Sequence, residues 1–380
     1  MIAPPARQWT NAVFAASERP GRVLAMEGVR GLAILGVLAA HCTVLFRPWL
    51  GEGAWTRAVF LIGQTGVDLF FVLSGYLIYG LALEHHGPWH RFLARRARRI
   101  YPPYLAAFGV YLALAFALPQ AGRLPETGTV LYVLQGLLLL PGLFDIQPLF
   151  AVAWSLSYEA FYYLAAPLLV WAGALRRRPA RVRAALILAL AAAYAAAVAL
   201  WFPARWPAIA LSPWRHWRLL LFPAGMLAWE AVRAGWLRGR GWQWTGAAAV
   251  AVVFGPVLLW LANPAFQQPW PGLAGALLMG AAAAMAFAAA FHGPGPLAGL
   301  LEWPPLRWLG NLSYSLYLVH GLGLHAVALA ARNWPGAPGW LVCGAGLVAA
   351  IAAALPLFLL VERRWSLPPV RVRAGSPSAN

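Results

Sequence analysis

Apolar runs of about twenty residues, separated by short arginine-rich segments, occupy most of this chain. At ~1.5 Å per helical residue, each such run is long enough to cross the ~30 Å hydrocarbon core of a bilayer. The pattern predicts membrane helices at 24–46, 60–83, 100–118, 152–174, 182–201, 217–235, 243–262, 271–292, 306–331 and 338–361. One further run, TVLYVLQGLLLLPG at 129–142, is too short to cross comfortably and is expected to be interfacial or re-entrant. Arginine placement supports that choice. Ten spans put 85–99, 176–183, 232–241 and 362–373 together on the cytoplasmic side, whereas an eleventh would push 176–183 outside and lose the positive-inside bias. The expected architecture is therefore all-α: a polytopic bundle of about ten transmembrane helices with both termini cytoplasmic. It comprises an N-terminal cytoplasmic segment 1–23, a transmembrane domain 24–365 and a cytoplasmic tail 366–380. The Ala-rich helices 182–201 and 247–290 read as scaffold.

Composition removes the soluble alternatives. The chain is 62% hydrophobic and 11% charged, more apolar than a soluble core of this length requires. All 29 basic residues are arginine, and set against 11 acids they give a net charge of +18. That charge follows the loops, so it speaks for orientation in a membrane and not for a nucleic-acid partner. Cys42 and Cys343 lie in apolar helices without CxxC spacing and are expected to pack. The first twenty-five residues carry Arg7, Arg19 and Arg22 but no separate apolar core, so no cleavable signal is expected and the first helix serves for insertion. His85, His86 and His90 read as a solvated basic loop, and no metal is expected. No GxxxxGK[ST] motif is present, nor a GxGxxG after a strand, which leaves no sign of a nucleotide-hydrolysing motor.

Chemistry enters with the ionisable residues inside the spans. MEGVRGLAILGVLAAHCTVLF (26–46) carries Arg30 and His41, eleven residues apart. Eleven steps of ~100° are about three turns, so both side chains share one face, ~16 Å apart along the axis. Buried ionisable groups in a membrane usually face a cavity or a protein interior. On the ten-span topology His41, Asp68 and Glu159 fall near the outer ends of the first, second and fourth spans. A carboxylate beside an imidazole holds its tautomer, as a general base needs, so Asp68 or Glu159 is expected to orient His41. Ser74 sits beside Gly75, where helix packing or channel lining are both open. Tyr314, Tyr317 and His320 share one face of the ninth helix and either line a channel or pack. His325 and Glu230 have no companions at useful spacing and are left unassigned.

Five stretches in order carry a resemblance. They are RGLAILGVLAAH (30–41), TGVDLFFVLSGYLI (65–78), RFLARRARRIYPPY (91–104), WSLSYEAFYYLAAPL (154–168) and LGNLSYSLYLVHG (309–321), followed by VERRW at 361–365. Together the chain resembles the acyltransferase-3 family of integral membrane O-acyltransferases over about 22–365. The resemblance implies that Arg30 and His41 are the essential pair and that Arg96 and Arg99 form the family's RxxR element. It also implies a cytoplasmic acyl-CoA donor, most often acetyl-CoA, and a hydroxyl acceptor on a carbohydrate-containing molecule, in the inner membrane of a bacterium. The clustered arginines at 95–99 suit the phosphates of coenzyme A, and equally suit ordinary positive-inside anchoring. Two departures stand out. Many members have two carboxylates where this chain has Glu159 followed by Ala160, and no extracytoplasmic esterase-like domain is expected before Asn380. A transporter or flippase for a lipid-linked sugar is the alternative. It predicts paired Gly- or Pro-broken spans in two repeats, which the sequence does not display.

Overall fold

The computed structural model describes residues 23–118, 124–125, 128–144, 146–200, 217–236, 241–264 and 272–366. Most of the terminal segments 1–23 and 366–380, and most of the loop 263–272, lie outside these residues. Helices dominate. In chain order they are α1 (Ala25–Leu45), α2 (Arg47–Leu50), α3 (Ala54–Leu83), α4 (Trp89–Ala117), α5 (Thr129–Leu137), α6 (Ala153–Ala172), α7 (Ala180–Leu200) and α8 (Leu221–Ala234). There follow α9 (Gly241–Ala262), α10 (Gly272–Phe291), α11 (Pro296–Leu301), α12 (Pro304–Ala331) and α13 (Gly339–Pro356). A π-helix, Leu357–Ser366, continues α13. Among the described residues the one extended pairing is a bridge between Pro141 and Phe144.

Among the described residues, eight helices are long and apolar enough to cross a membrane: α1, α3, α4, α7, α9, α10, α12 and α13 with its π extension. The chain is an all-α polytopic membrane protein. The predicted spans at 152–174 and 217–235 are helices too, but of another character. Helix α6 mixes Ser155, Ser157, Glu159 and three tyrosines into its apolar residues, and α8 has 14 residues, ~21 Å, short of a full crossing. Helix α5 is shorter still, at 9 residues. The Tyr104 hydroxyl donates to Gly136 O at 2.7 Å, and the Ser157 hydroxyl donates to Pro141 O, so the C-terminal half of this short segment is tied to the bundle.

Helix α3 is the axis, with 72% of its apolar window buried, against 22% for α7 and 17% for α9. The Ala- and Leu-rich outer helices therefore turn most of their surface to lipid. Without a hydrophobic drive between helices, close backbone approach is what holds a membrane bundle together. The seams of α3 show it. A Cβ on Gly66 would fall 2.3 Å from Ala33 O on α1, and one on Gly75 would fall 2.2 Å from Phe222 O on α8. Gly225 answers from α8, where a Cβ would meet Val72 O at 1.9 Å.

The arginine segments also brace the fold. Arg176 donates to Ala82 O at 3.0 Å and Leu83 O at 3.1 Å, satisfying carbonyls at the end of α3, where helices leave acceptors open. Arg183 forks onto Glu230 at 2.6 and 2.7 Å, and the Tyr79 hydroxyl donates to the same carboxylate at 2.5 Å. Glu230, unassigned from sequence, is thus a fully buried anchor between α3, α7 and α8.

Candidate active site: an arginine-lined cavity beside a histidine pair

A cavity of about 200 Å³ opens between α1, α3, α4, α6 and α12. Arg30, Ser74, Arg96, Arg99, Glu159 and Tyr317 are among the residues that line it. Helix α4 begins eleven residues before the predicted start, so the arginine cluster is helical instead of looped. The i, i+3 spacing of Arg96 and Arg99 then carries both to the same wall. Ser74 donates to Glu159 Oε1 at 3.1 Å and the Tyr163 hydroxyl donates to the same oxygen at 2.6 Å, which fixes the carboxylate at the cavity's edge. Arg30 Nε donates to Ser313 Oγ of α12 at 3.2 Å. Tyr314 donates to Ile100 O at 2.8 Å, its ring 5.5 Å from the Arg99 guanidinium.

His41 faces the same helix as Arg30, as the spacing of the two predicts. Its ring lies edge-on to His320, centroids 4.8 Å apart. Each imidazole has its Nδ1 against a helix carbonyl one turn back: Val37 O at 2.8 Å for His41, Tyr317 O at 2.8 Å for His320. A carbonyl can only accept, so Nδ1 is the donor in both, and in the neutral ring that tautomer leaves the lone pair on Nε2. Neither histidine is part of the cavity lining; Tyr317 stands between. Its hydroxyl meets Ser155 Oγ at 2.5 Å and its ring centroid is 6.2 Å from that of His320.

The expected carboxylate–imidazole bond is absent among the described residues. Asp68 is buried and pairs with Arg218 Nε at 2.6 Å, beneath Trp154, whose ring lies 5.5 Å from the guanidinium. Glu159 is held by Ser74 and Tyr163. The physical reason is that each acid is already met by other donors, Arg218 for Asp68 and Ser74 with Tyr163 for Glu159, while the backbone of α1 itself supplies the acceptor for His41 Nδ1. Arg99 also departs from expectation: it is bound to Glu362 Oε1 at 2.5 Å. The structure places Arg30, Ser74, Arg96, Arg99, Glu159, Tyr314 and Tyr317 around one cavity, whereas His41, expected to line it with Arg30, lies with His320 outside the lining. Sequence reading passed over Arg218, Ser313 and the partner role of Glu362. Arg218 had a signal, being an arginine at the head of an apolar run, as Arg30 is.

An all-α membrane bundle that encloses an arginine-lined cavity, with two packed imidazoles just beyond its lining, is the arrangement these residues build. The chain matches the description "Acyltransferase domain" over residues 23–359, and it belongs to the acyltransferase-3 family. It is 32% identical to the exopolysaccharide production protein ExoZ of Rhizobium meliloti over 282 residues, 71% of this chain and 80% of that one. It is 28% identical over 314 residues to YrhL of Bacillus subtilis, covering 78% of this chain and 47% of that one. To the peptidoglycan O-acetyltransferase OatA of Listeria monocytogenes it is 26% identical over 324 residues, 78% of this chain and 49% of that protein. The chain thus spans about half the length of two of these relatives. No solved structure matches it.

Proposed function

We propose that the chain is an O-acyltransferase that moves an acyl group, acetyl in the first instance, from acyl-CoA to a hydroxyl of a carbohydrate-containing acceptor. The observation that carries this reading is the cavity itself, where Arg30 and Arg96 meet neutral hydroxyls and one carboxylate next to the His41–His320 pair. Names of relatives add the acceptor class: one is an exopolysaccharide production protein, another a peptidoglycan O-acetyltransferase. The arginine-rich ends face the cytoplasm in this reading, so the donor enters from that side and the acceptor meets His41 from the other.

Each residue then has a task. Guanidinium groups match phosphate oxygens in geometry and charge, so Arg30 and Arg96 receive the donor's anionic end. His41 Nε2 takes the proton of the acceptor hydroxyl as its oxygen attacks the thioester carbonyl. The tetrahedral oxyanion collapses, the C–S bond breaks, and the imidazolium returns its proton to the leaving thiolate. Net, an O-ester and a free thiol form. Tyr317 and Ser155 lie between cavity and imidazoles, so their hydroxyl pair must open to let the thioester through.

The test is His41→Gln in purified, folded protein with acetyl-CoA and a polysaccharide acceptor. Turnover should fall about 10²–10⁴-fold with donor binding retained, because positioned acid–base groups contribute that much. Near-native transfer by the variant would move the base elsewhere. Acceptor translocation by native protein without ester formation would instead favour the flippase.

A further inference from the structure

The family's two arginines at 96 and 99 are one helical turn apart on the same wall, yet their surroundings differ in kind. Arg99 has its charge answered. Glu362 is completely buried, with Oε1 2.5 Å from Arg99 Nη1 and Oε2 accepting from Ser315 N at 3.1 Å and Ser315 Oγ at 2.6 Å. That carboxylate is therefore filled by one cation and two neutral donors. Arg98 adds a second tie, Nε to Trp365 O at 2.9 Å. Arg96, by contrast, lies over the Phe92 ring at 5.9 Å, and its Nε is buried with no hydrogen-bond partner among the described residues.

The element that delivers Glu362 is itself unusual. Pro356 has no N–H to donate to Ala352 O, and immediately after it the helix widens into the ten-residue π segment Leu357–Ser366. A π turn advances each residue by less than the ~100° of an α turn, so this widening decides which face Glu362 presents. It presents Glu362 to α4 and α12, where Arg99 and Ser315 meet it.

We propose that the two arginines divide their work: Arg96 is the group that binds the donor's phosphate, whereas Arg99 is a positioning residue, neutralised by Glu362 and locking the π-helix against α4 and α12. The proposal rests on the acyl-CoA reading above. Its physical basis is that a guanidinium already paired with a buried carboxylate would have to break that pair to take a phosphate. A guanidinium with no carboxylate bound to it has no ion pair to break and gains charge-assisted bonds.

The experiment uses the full chain in nanodiscs, with coenzyme A affinity and the KM for acetyl-CoA as readouts. Arg96→Gln loses no hydrogen bond of the fold; it should stay folded and weaken CoA binding about ten- to hundredfold, as for one charged hydrogen-bonding group. Arg99→Gln alone strands a buried carboxylate and should destabilise. Arg99→Gln with Glu362→Gln removes both charges while leaving Ser315 an acceptor; it should regain folding, with a KM within about threefold of native. Arg99→Lys keeps the ion pair and serves where the double variant does not fold; its KM should stay native, whereas Arg96→Lys raises it. A folded double or Arg99→Lys variant with KM raised as far as Arg96→Gln overturns the division, as does an unchanged KM in Arg96→Gln. If native protein binds no CoA, the donor reading fails first and takes this proposal with it.

Discussion

Removing one half of the Asp68–Arg218 pair separates a structural charge from a catalytic one. Asp68 is 2% exposed and Arg218 7%, with 2.6 Å between them. Breaking a buried pair by deleting one partner costs about 3–5 kcal/mol, because the survivor is left as an uncompensated charge. Replacing both by neutral groups of similar size is often neutral. Asp68→Asn and Arg218→Met should each lower stability by that amount, while the double variant should return to within about 1 kcal/mol of native. Heating detergent-solubilised protein and following the folded fraction by fluorescence-detected size exclusion would measure the cycle. Turnover per folded molecule is the second axis. If Asp68 serves the bundle, the double variant transfers acyl groups at a near-native rate. A stable double variant whose turnover has dropped by 10² or more would refute this reasoning and return Asp68 to a role in orienting His41.

Other outcomes follow from the same geometry. Glu159→Gln keeps an acceptor for Ser74 and Tyr163 but removes the carboxylate from the arginine-lined cavity; it should stay folded and bind CoA more tightly, and weaker binding would count against an anionic ligand there. Gly225→Ala should abolish folded yield, since its Cβ would meet Val72 O at 1.9 Å, whereas Gly246→Ala, with open space around it, should be neutral or stabilise by about 0.5–1 kcal/mol in a thermal assay. Tyr104→Phe leaves Gly136 O without its donor and should cost about 1–2 kcal/mol, seen as faster proteolysis around α5; unchanged proteolysis would mean that this bond does not hold the segment. A cysteine in place of Arg178 should be labelled from the cytoplasmic side alone, and labelling from outside would invert the proposed entry path of the donor.

Much of the architecture was legible because bilayer thickness turns an apolar run of about twenty residues into a helix, whatever its neighbours. Helix geometry did the same for Arg30 and His41: spacing of eleven became direction, and both meet α12, at Ser313 and His320. The short run at 129–142 was separable by length alone. What sequence order does not carry is which buried charge answers which. Asp68 reaches Arg218, Arg99 reaches a glutamate 263 positions away, and His41 finds another histidine in place of a carboxylate. In a medium of low dielectric a charge is defined by its nearest counter-charge, and that distance exists only once the helices have packed. The apolar pattern therefore determined that these side chains would be buried, while the crossing of α3, α4, α12 and the π-helix decided which of the buried charges are paired and with what.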